Sequence, residues 1–322
     1  MLSKIISSFT QHVIQHAITR NKSKTVDNIH ISIVLIYYDF DEQRAETRMR
    51  ETDFKICFWG CRGACALSGS GMTRYGTNTA CVSMECGGMP LVFDVGTGFI
   101  RFGEYCQKTN PGGELHIFLS HFHLDHLEGL PHAGILYDPA VTIHFYAMGA
   151  MGSSPRELLA NIFSPPYFPI PVLDKNRTIV FHELSEAGAL HPAGSAVSVE
   201  YLSVHHPGGS ISYKVGFGGK TAVYLSDYEY AGRMDPALEE YLRGADLVIF
   251  DANFGDADYI ADWGHSTWQE GLAVCRALDI GRMVLFHHRV GRTDDELDEA
   301  ERGLRAMSER CHMAREGEIV YL

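Results

Sequence analysis

From residue 54 onward, short apolar runs are separated by breaks containing Gly, Asp and Pro. This pattern predicts strands at residues 55–59, 80–84, 91–93, 115–119, 142–145, 178–181, 197–204, 211–215, 222–225, 247–250, 283–286 and 319–321. Longer stretches with a 3.6-residue apolar period predict helices at 155–162, 236–243, 267–278 and 294–311. Strands dominate the first half and helices are interspersed in the second, which fits a two-sheet core with helices outside. The first 53 residues read differently. Leu2, Ile5, Ile6, Phe9, Val13, Ile14 and Ile18 recur at helical spacing, residues 31–38 read as a strand, and residues 39–50 as a charged linker. The expected division is an N-terminal extension, 1–53, and a single larger domain, 54–322. Met49 stands just before the first convincing core strand, and residues 1–48 are expected to be dispensable.

Composition narrows the class. With 322 residues, 45% of them hydrophobic and 21% charged, the chain can bury a sizeable core as one large domain or two smaller ones. Twenty-seven Lys and Arg against 40 Asp and Glu give a net charge of −13. Such a surface argues against a stable nucleic-acid complex, which needs clustered cations. An anionic substrate remains compatible if metal ions supply positive charge locally. The longest apolar run falls well short of the roughly 20 residues that span a bilayer, so no membrane association is expected. Eight scattered cysteines are too sparse for a disulfide scaffold, and a reducing, cytoplasmic setting is the simplest expectation. Self-association as a homodimer is left open.

The 17 histidines change the picture because several are clustered. Ser120-His121-Phe122-His123-Leu124-Asp125-His126 follows the apolar run 115–119, so three imidazoles and a carboxylate sit where a strand gives way to a loop. Imidazole suits Zn²⁺, Fe²⁺ and Mn²⁺, and a carboxylate suits the harder ions. Further ligand types end other apolar runs: His205-His206 before Pro207-Gly208-Gly209, Asp227 after Ser226, and His287-His288 after residues 283–286. Any one of these alone would more often be structural. The ordered set, with each ligand type at a strand end, is what points to one shared cavity. Either histidine of each pair could be the ligand on this reading. Ser266 or Thr267 can cap the helix that follows, and His265 just before it is placed to meet an anion. Cys57, Cys61 and Cys65 lack a fourth nearby thiol for an iron–sulfur cluster. The Ser68–Gly71 stretch lacks the Lys of a P-loop, and no G-x-S-x-G elbow occurs.

The run His121-Phe122-His123-Leu124-Asp125-His126 resembles the H-x-H-x-D-H signature of the metallo-β-lactamase superfamily, and Asp94-Val95-Gly96-Thr97-Gly98 resembles its Asp-x-Gly-x-Gly turn. Further stretches are similar to the phosphodiesterase-type branch related to ribonuclease Z and phosphoribosyl cyclic phosphodiesterase. They are Phe58-Trp59-Gly60-Cys61-Arg62-Gly63, Arg74-Tyr75-Gly76-Thr77-Asn78-Thr79, Ser164-Pro165-Pro166-Tyr167-Phe168-Pro169, His206-Pro207-Gly208-Gly209, Gly264-His265-Ser266-Thr267-Trp268 and Leu285-Phe286-His287-His288. The resemblance implies an α/β (α+β) fold, a four-layer αββα sandwich, with two divalent metal ions on one rim: Zn²⁺, with Mn²⁺ or Fe²⁺ as alternatives. It implies that His121, His123 and His206 hold one ion, that Asp125, His126 and His287 hold the other, and that Asp227 bridges them. His265 would serve the substrate phosphate, with Asn78 and Tyr167 as further substrate contacts. The chain departs from these relatives at Arg289-Val290, where Asp-Pro is usual, and at Thr77, where Gly is usual.

The implied chemistry is metal-assisted hydrolysis of a small phosphodiester, with a metal-bridged hydroxide oriented by Asp125 and His265 steadying the phosphate or protonating the leaving group. Cyclic nucleotides and cyclic ribose phosphates fit a compact pocket, and the Pro- and aromatic-rich stretch 164–171 can form a wall that stacks a base or sugar. The alternatives are a catalytically silent metal-binding sensor or partner-binding domain, and an RNA-processing nuclease.

Overall fold

The computed structural model describes residues 54–110, 112–175 and 178–322; the helix, strand and linker read for residues 1–53 lie outside the described residues. Fourteen strands form among the described residues: β1 Phe54–Gly60, β2 Cys81–Cys86, β3 Met89–Phe93, β4 Glu114–Phe118, β5 Thr142–Met148, β6 Ile179–Leu184, β7 Ala187–Leu190, β8 Ser198–Val204, β9 Ser210–Phe217, β10 Lys220–Leu225, β11 Leu247–Asp251, β12 Met283–Phe286, β13 Cys311–Met313 and β14 Ile319–Tyr321. They make two seven-stranded sheets, ordered β14-β1-β2-β3-β4-β5-β6 and β13-β12-β11-β10-β9-β8-β7. Five α-helices cover them: α1 Gly98–Thr109, α2 Pro155–Ile162, α3 Pro236–Leu242, α4 Trp268–Ala277 and α5 Asp294–Met307.

Three buried clusters show how the layers stack. Phe58, Met84, Phe93 and Phe118 of the first sheet meet Val199, Ile211, Tyr213, Tyr224 and Phe286 of the second, so the strands' inner faces share one core. Phe99, Phe102 and Cys106 of α1 and Leu159 of α2 pack with Val92, Leu115 and Ile143 on the outer face of the first sheet. Leu238 and Leu242 of α3, Leu272 of α4, and Leu297 and Leu304 of α5 pack with Val223, Val248 and Leu285 on the outer face of the second. This is the four-layer αββα sandwich. Each apolar sheet face needs a partner, and two sheets with two helical layers bury all four.

Local signals set the helix starts. Ser154 with Glu157, Thr267 with Glu270 and Thr293 with Glu296 form capping boxes that satisfy backbone N–H groups at the starts of α2, α4 and α5. Three elements differ from the sequence reading. Helix α1 was not expected; Gly98, read as part of a turn, and Gly103 lie on its buried face, where a Cβ on Gly103 would meet Ile135 at 3.0 Å. The predicted 294–311 helix ends at Met307, and Cys311–Met313 instead pairs parallel to β12. Strand β7 carries no apolar alternation, because its residues are mostly exposed at a sheet edge.

The strand directions position the site. β3 and β4 run parallel, as do β10, β11 and β12. Because β8 and β10 are both antiparallel to β9, the C-terminal end of β8 lies at the same rim as those of β10 to β12. Bonds between the sheets fix this rim: Tyr213 Oη donates to the Leu119 carbonyl at 2.6 Å, and Tyr224 Oη to Asp94 Oδ2 at 2.8 Å. Chain connections leaving the carboxyl ends of parallel strands are where open α/β sheets build ligand sites.

Candidate metal centre

Three of the strand-end residues adopt left-handed backbone conformations that non-glycine residues rarely occupy: Asp94 (φ 58°), Asp227 (φ 46°) and His287 (φ 60°). They follow β3, β10 and β12, and the turn at each aims a polar side chain inward from the rim. Such strain persists where the surroundings over-determine it, and it clusters at functional sites.

Asp227 is fully buried and divides its two oxygens between two groups of donors. Oδ2 lies 3.6 Å from His121 Nε2 and 3.7 Å from His206 Nε2. Oδ1 lies 3.2 Å from both His126 Nε2 and His287 Nε2. His123 Nδ1 joins the first side at 3.1 Å from His206 Nε2, and Asp125 Oδ2 joins the second at 3.2 Å from His287 Nε2. The ligand atoms of His121, His123, His206 and Asp227 all lie within 4.8 Å of one another, as do those of Asp125, His126 and His287. The structure therefore brings together all seven residues expected as ligands. It also separates the paired histidines. His205 is exposed, whereas His206 enters the cluster. His288 turns away to bond the Ala314 carbonyl at 2.8 Å, whereas His287 enters.

The donor chemistry fits cations. His126 Nε2 and His287 Nε2 face each other at 3.1 Å, and His121 Nε2 is buried with no hydrogen-bond partner. Imidazole nitrogens converging in this way, interleaved with carboxylates, are metal donors rather than members of a closed hydrogen-bond network. The electrostatics agree. Burial alone would lower His126, but Asp227, Asp125 and Asp94 hold its imidazole well above the ordinary range. Burial would raise Asp125, yet His126 and His287 keep its carboxyl well below the usual range. Burial and the neighbouring His126 push His121 well down, and the opposing pull of Asp227 does not make up for them. The centre attracts positive charge.

An outer ring orients these donors, and the sequence reading missed most of it. Asp94 accepts four hydrogen bonds: from Ser120 N at 2.7 Å, Ser120 Oγ at 2.8 Å, Tyr224 Oη, and His126 Nδ1 at 2.7 Å. Ser120 Oγ also lies 2.9 Å from His121 Nδ1. His206 Nδ1 donates to the Gly264 carbonyl at 2.8 Å, and Asn253 Nδ2 lies 3.2 Å from His287 Nδ1. Ala64 N donates to Asp125 Oδ2 at 2.7 Å. Gly63 and Gly264 are glycine for steric reasons: a Cβ on Gly63 would run into the His287 ring, and one on Gly264 (φ +81°) into Pro207 and His206. Besides the turn at Asp94, one further sequence signal was available. Asp251 ends the apolar run of β11 just as Asp227 follows that of β10.

His265 stands beside the centre. Its Nδ1 is 2.7 Å from Asp251 Oδ2 and 3.9 Å from Asp227 Oδ2, and its ring stacks at 5.1 Å on His287. Burial works against its charge, but Asp251 raises the imidazole to about 9. Thr267, not Ser266, caps α4; Ser266 Oγ donates to the Tyr228 carbonyl. Two further substrate contacts were expected. Asn78 commits its amide to Glu316, donating to Oε1 at 2.7 Å. Tyr167 is 81% exposed on the loop after α2.

A two-sheet sandwich with His and Asp donors gathered at one rim defines a metal-binding protein of the metallo-β-lactamase fold class. Residues 101–288 match the family described as "Beta-lactamase superfamily domain", and the chain belongs to that family. Among curated relatives, it is 24% identical over 256 residues to a ribonuclease Z of Pyrococcus horikoshii, covering 65% of this chain and 80% of that protein. Among solved structures, the metallo-β-lactamase fold protein YhfI from Bacillus subtilis aligns with a TM-score of 0.64 at 16% identity, covering 84% of this chain and 100% of that one. A diphosphatase from the PhnP family aligns with a TM-score of 0.62 at 17% identity, covering 84% and 98%. These two likenesses carry the fold. No helix among the described residues is long and apolar enough to cross a membrane.

Proposed function

We propose that this chain is a metal-dependent hydrolase acting on a small phosphodiester, with cyclic nucleotides and cyclic ribose phosphates as the substrate class. The observation that carries the reading is Asp227, whose two oxygens serve two donor groups with the His265–Asp251 pair alongside. Two divalent ions, Zn²⁺ or alternatively Mn²⁺ or Fe²⁺, would be held by His121, His123, His206 and Asp227 on one side and by Asp125, His126, His287 and Asp227 on the other. When bound, such ions make water acidic enough to react near neutral pH and offset charge on phosphoryl oxygens. The chain's own residues supply positioning and proton transfer. Asp125, held by Ala64 N, orients the attacking water. Asp251 accepts the His265 Nδ1 proton, which fixes the ring and assigns its other nitrogen to the substrate phosphate or leaving oxygen. Tyr167, on its stiff proline-rich loop, stacks on the base or sugar. Asn78 would have to leave Glu316 to contribute.

The ribonuclease Z relative favours a second reading, an RNA-processing nuclease. The net charge of −13 weighs against it, since gripping a long polyanion needs clustered cations. Residues 54–322 are the catalytic unit of this proposal, working in the cytoplasm, and deleting residues 1–48 should leave metal content and rate intact. The test is turnover of bis-p-nitrophenyl phosphate by Zn²⁺- or Mn²⁺-loaded protein, followed by a panel of cyclic mono- and dinucleotides and a precursor transfer RNA. Cleavage of small diesters with no precursor processing supports the proposal. Faster precursor cleavage would replace it with the nuclease. No turnover by fully metallated protein would leave a sensor or binding role.

A further inference from the structure

A second group of imidazoles lies on strands β4 to β6 of the first sheet, and the proposed hydrolysis does not use it. Glu114 and His116 are two residues apart on β4 and so share a face, and His144 is the register partner of His116 on β5. Tyr146 of β5 and His182 of β6 are register partners on the same face. The five residues from His116 to His121 separate this group from the metal centre by roughly 15 Å of chain.

The rings are ordered by one another. His116 stacks on His144 at 5.0 Å, and Tyr146 on His182 at 4.4 Å. His116 Nδ1 lies 3.2 Å from Tyr146 Oη, and His144 Nδ1 lies 3.0 Å from His182 Nε2. Both Nδ1 atoms are thus engaged. Both Nε2 atoms are buried without a hydrogen-bond partner. They face the same carboxylate, from opposite oxygens: Glu114 Oε2 is 3.7 Å from His116 Nε2, and Oε1 is 4.0 Å from His144 Nε2. A buried, unpaired imidazole nitrogen is costly, and two aimed at one carboxylate call for a shared partner.

We propose that Glu114, His116 and His144 bind one zinc-class divalent ion, clamping β4 to β5 independently of the hydrolytic centre. Two imidazoles and one carboxylate oxygen, with a water as the fourth donor, make a set suited to Zn²⁺. The Nδ1 partners are the support that metal-ligating histidines use: with Nδ1–H donating to Tyr146 Oη or to His182 Nε2, the lone pair sits on Nε2. Tetrahedral Zn²⁺ with bonds of 2.0–2.2 Å sets donor atoms about 3.3–3.5 Å apart, so the 3.7 and 4.0 Å N–O spacings require closure, and the group is looser than the hydrolytic centre. Glu114 can supply that closure, because its side chain is 52% exposed and free to swing. Burial, with His144 and His182 adding to it, lowers His116 to about 4, so at neutral pH it is the unprotonated base that binds metal.

The test loads the full chain with Zn²⁺, removes excess ion by gel filtration and counts zinc per chain by mass spectrometry. Wild type should hold one equivalent more than either Glu114→Gln or His144→Ala. In a crystal soaked in Zn²⁺, anomalous diffraction at the zinc edge should show a peak among Glu114, His116 and His144. Equal zinc counts in wild type and Glu114→Gln, or no peak at this position, would overturn the proposal. The exposed Glu114→Gln change guards against a folding defect in His144→Ala, and the wild-type map needs no variant. Phosphodiester turnover should be the same in all three proteins, and its failure in all three would count against the hydrolase reading alone.

Discussion

Asp94 Oδ2 lies 2.7 Å from His126 Nδ1, in a carboxylate that also holds Ser120 and Tyr224 and has no exposure to solvent. This bond fixes the His126 ring so that Nε2 meets Asp227 and His287. Supporting partners of this kind typically contribute 10–100-fold to metal affinity. Asp94→Asn should therefore weaken zinc binding by about 10–100-fold while leaving every ligand in place. Competition with a chelating dye checks it, and unchanged affinity would remove Asp94 from the centre's design.

His265 touches the centre without belonging to either set of expected ligands. His265→Ala should keep the metal content of wild type and reduce turnover by about 10²-fold or more if the ring donates a proton. Metal analysis and steady-state kinetics on the same preparation separate the two effects. Lost metal would make His265 a ligand, and an unchanged rate would deny it any role in the reaction.

Most of the centre was legible because its chemistry is concentrated at strand ends. An apolar run that stops at His121, His206, Asp227 or His287 is visible in one dimension, and the rim that gathers them follows from strand direction. The partners of these residues were harder to see. Asp94 stands in a recognisable turn, yet its bond to His126 spans 32 residues, and the Gly264 carbonyl that holds His206 Nδ1 is a backbone atom with no sequence signature. The resemblance named His287 over His288, but the left-handed backbone at His287 that turns it inward was not visible in the sequence. In the fold, α1 was hidden by glycines that serve close packing, and β13 by its three-residue length directly after a helix.

Adjacent His287 and His288 should give opposite results when truncated. His287→Ala removes a donor that lies 3.2 Å from both Asp125 and Asp227, so it should cut bound metal while the chelator-treated protein melts nearly as wild type does. His288→Ala removes a fully buried ring that bonds the Ala314 carbonyl and packs edge-on to Tyr75 at 5.9 Å. Its loss leaves that carbonyl unpaired and opens a void, costing about 1–3 kcal/mol of stability with metal binding retained. Melting curves and metal analysis on both variants decide. The reverse pattern would exchange the two roles.

His116 gives the fold a pH dependence of its own, readable in chelator-treated protein. Burial, then His144 and His182, lowers its imidazole from 6.5 to about 4, with Glu114 and Tyr146 the other polar groups against it. Between these values the unfolded chain binds a proton that the folded chain excludes, so stability rises with pH across the window and falls as the pH drops from 6.5 toward 4. At 1.36 kcal/mol per pKa unit, the loss reaches about 2–3 kcal/mol by pH 4. His116→Leu has no proton to take up, so the difference in urea unfolding free energy between wild type and variant should shift by that amount from pH 7 to pH 4, in favour of the variant. Parallel pH profiles for the two proteins would mean that His116 titrates alike in both states and that its burial carries no charge penalty.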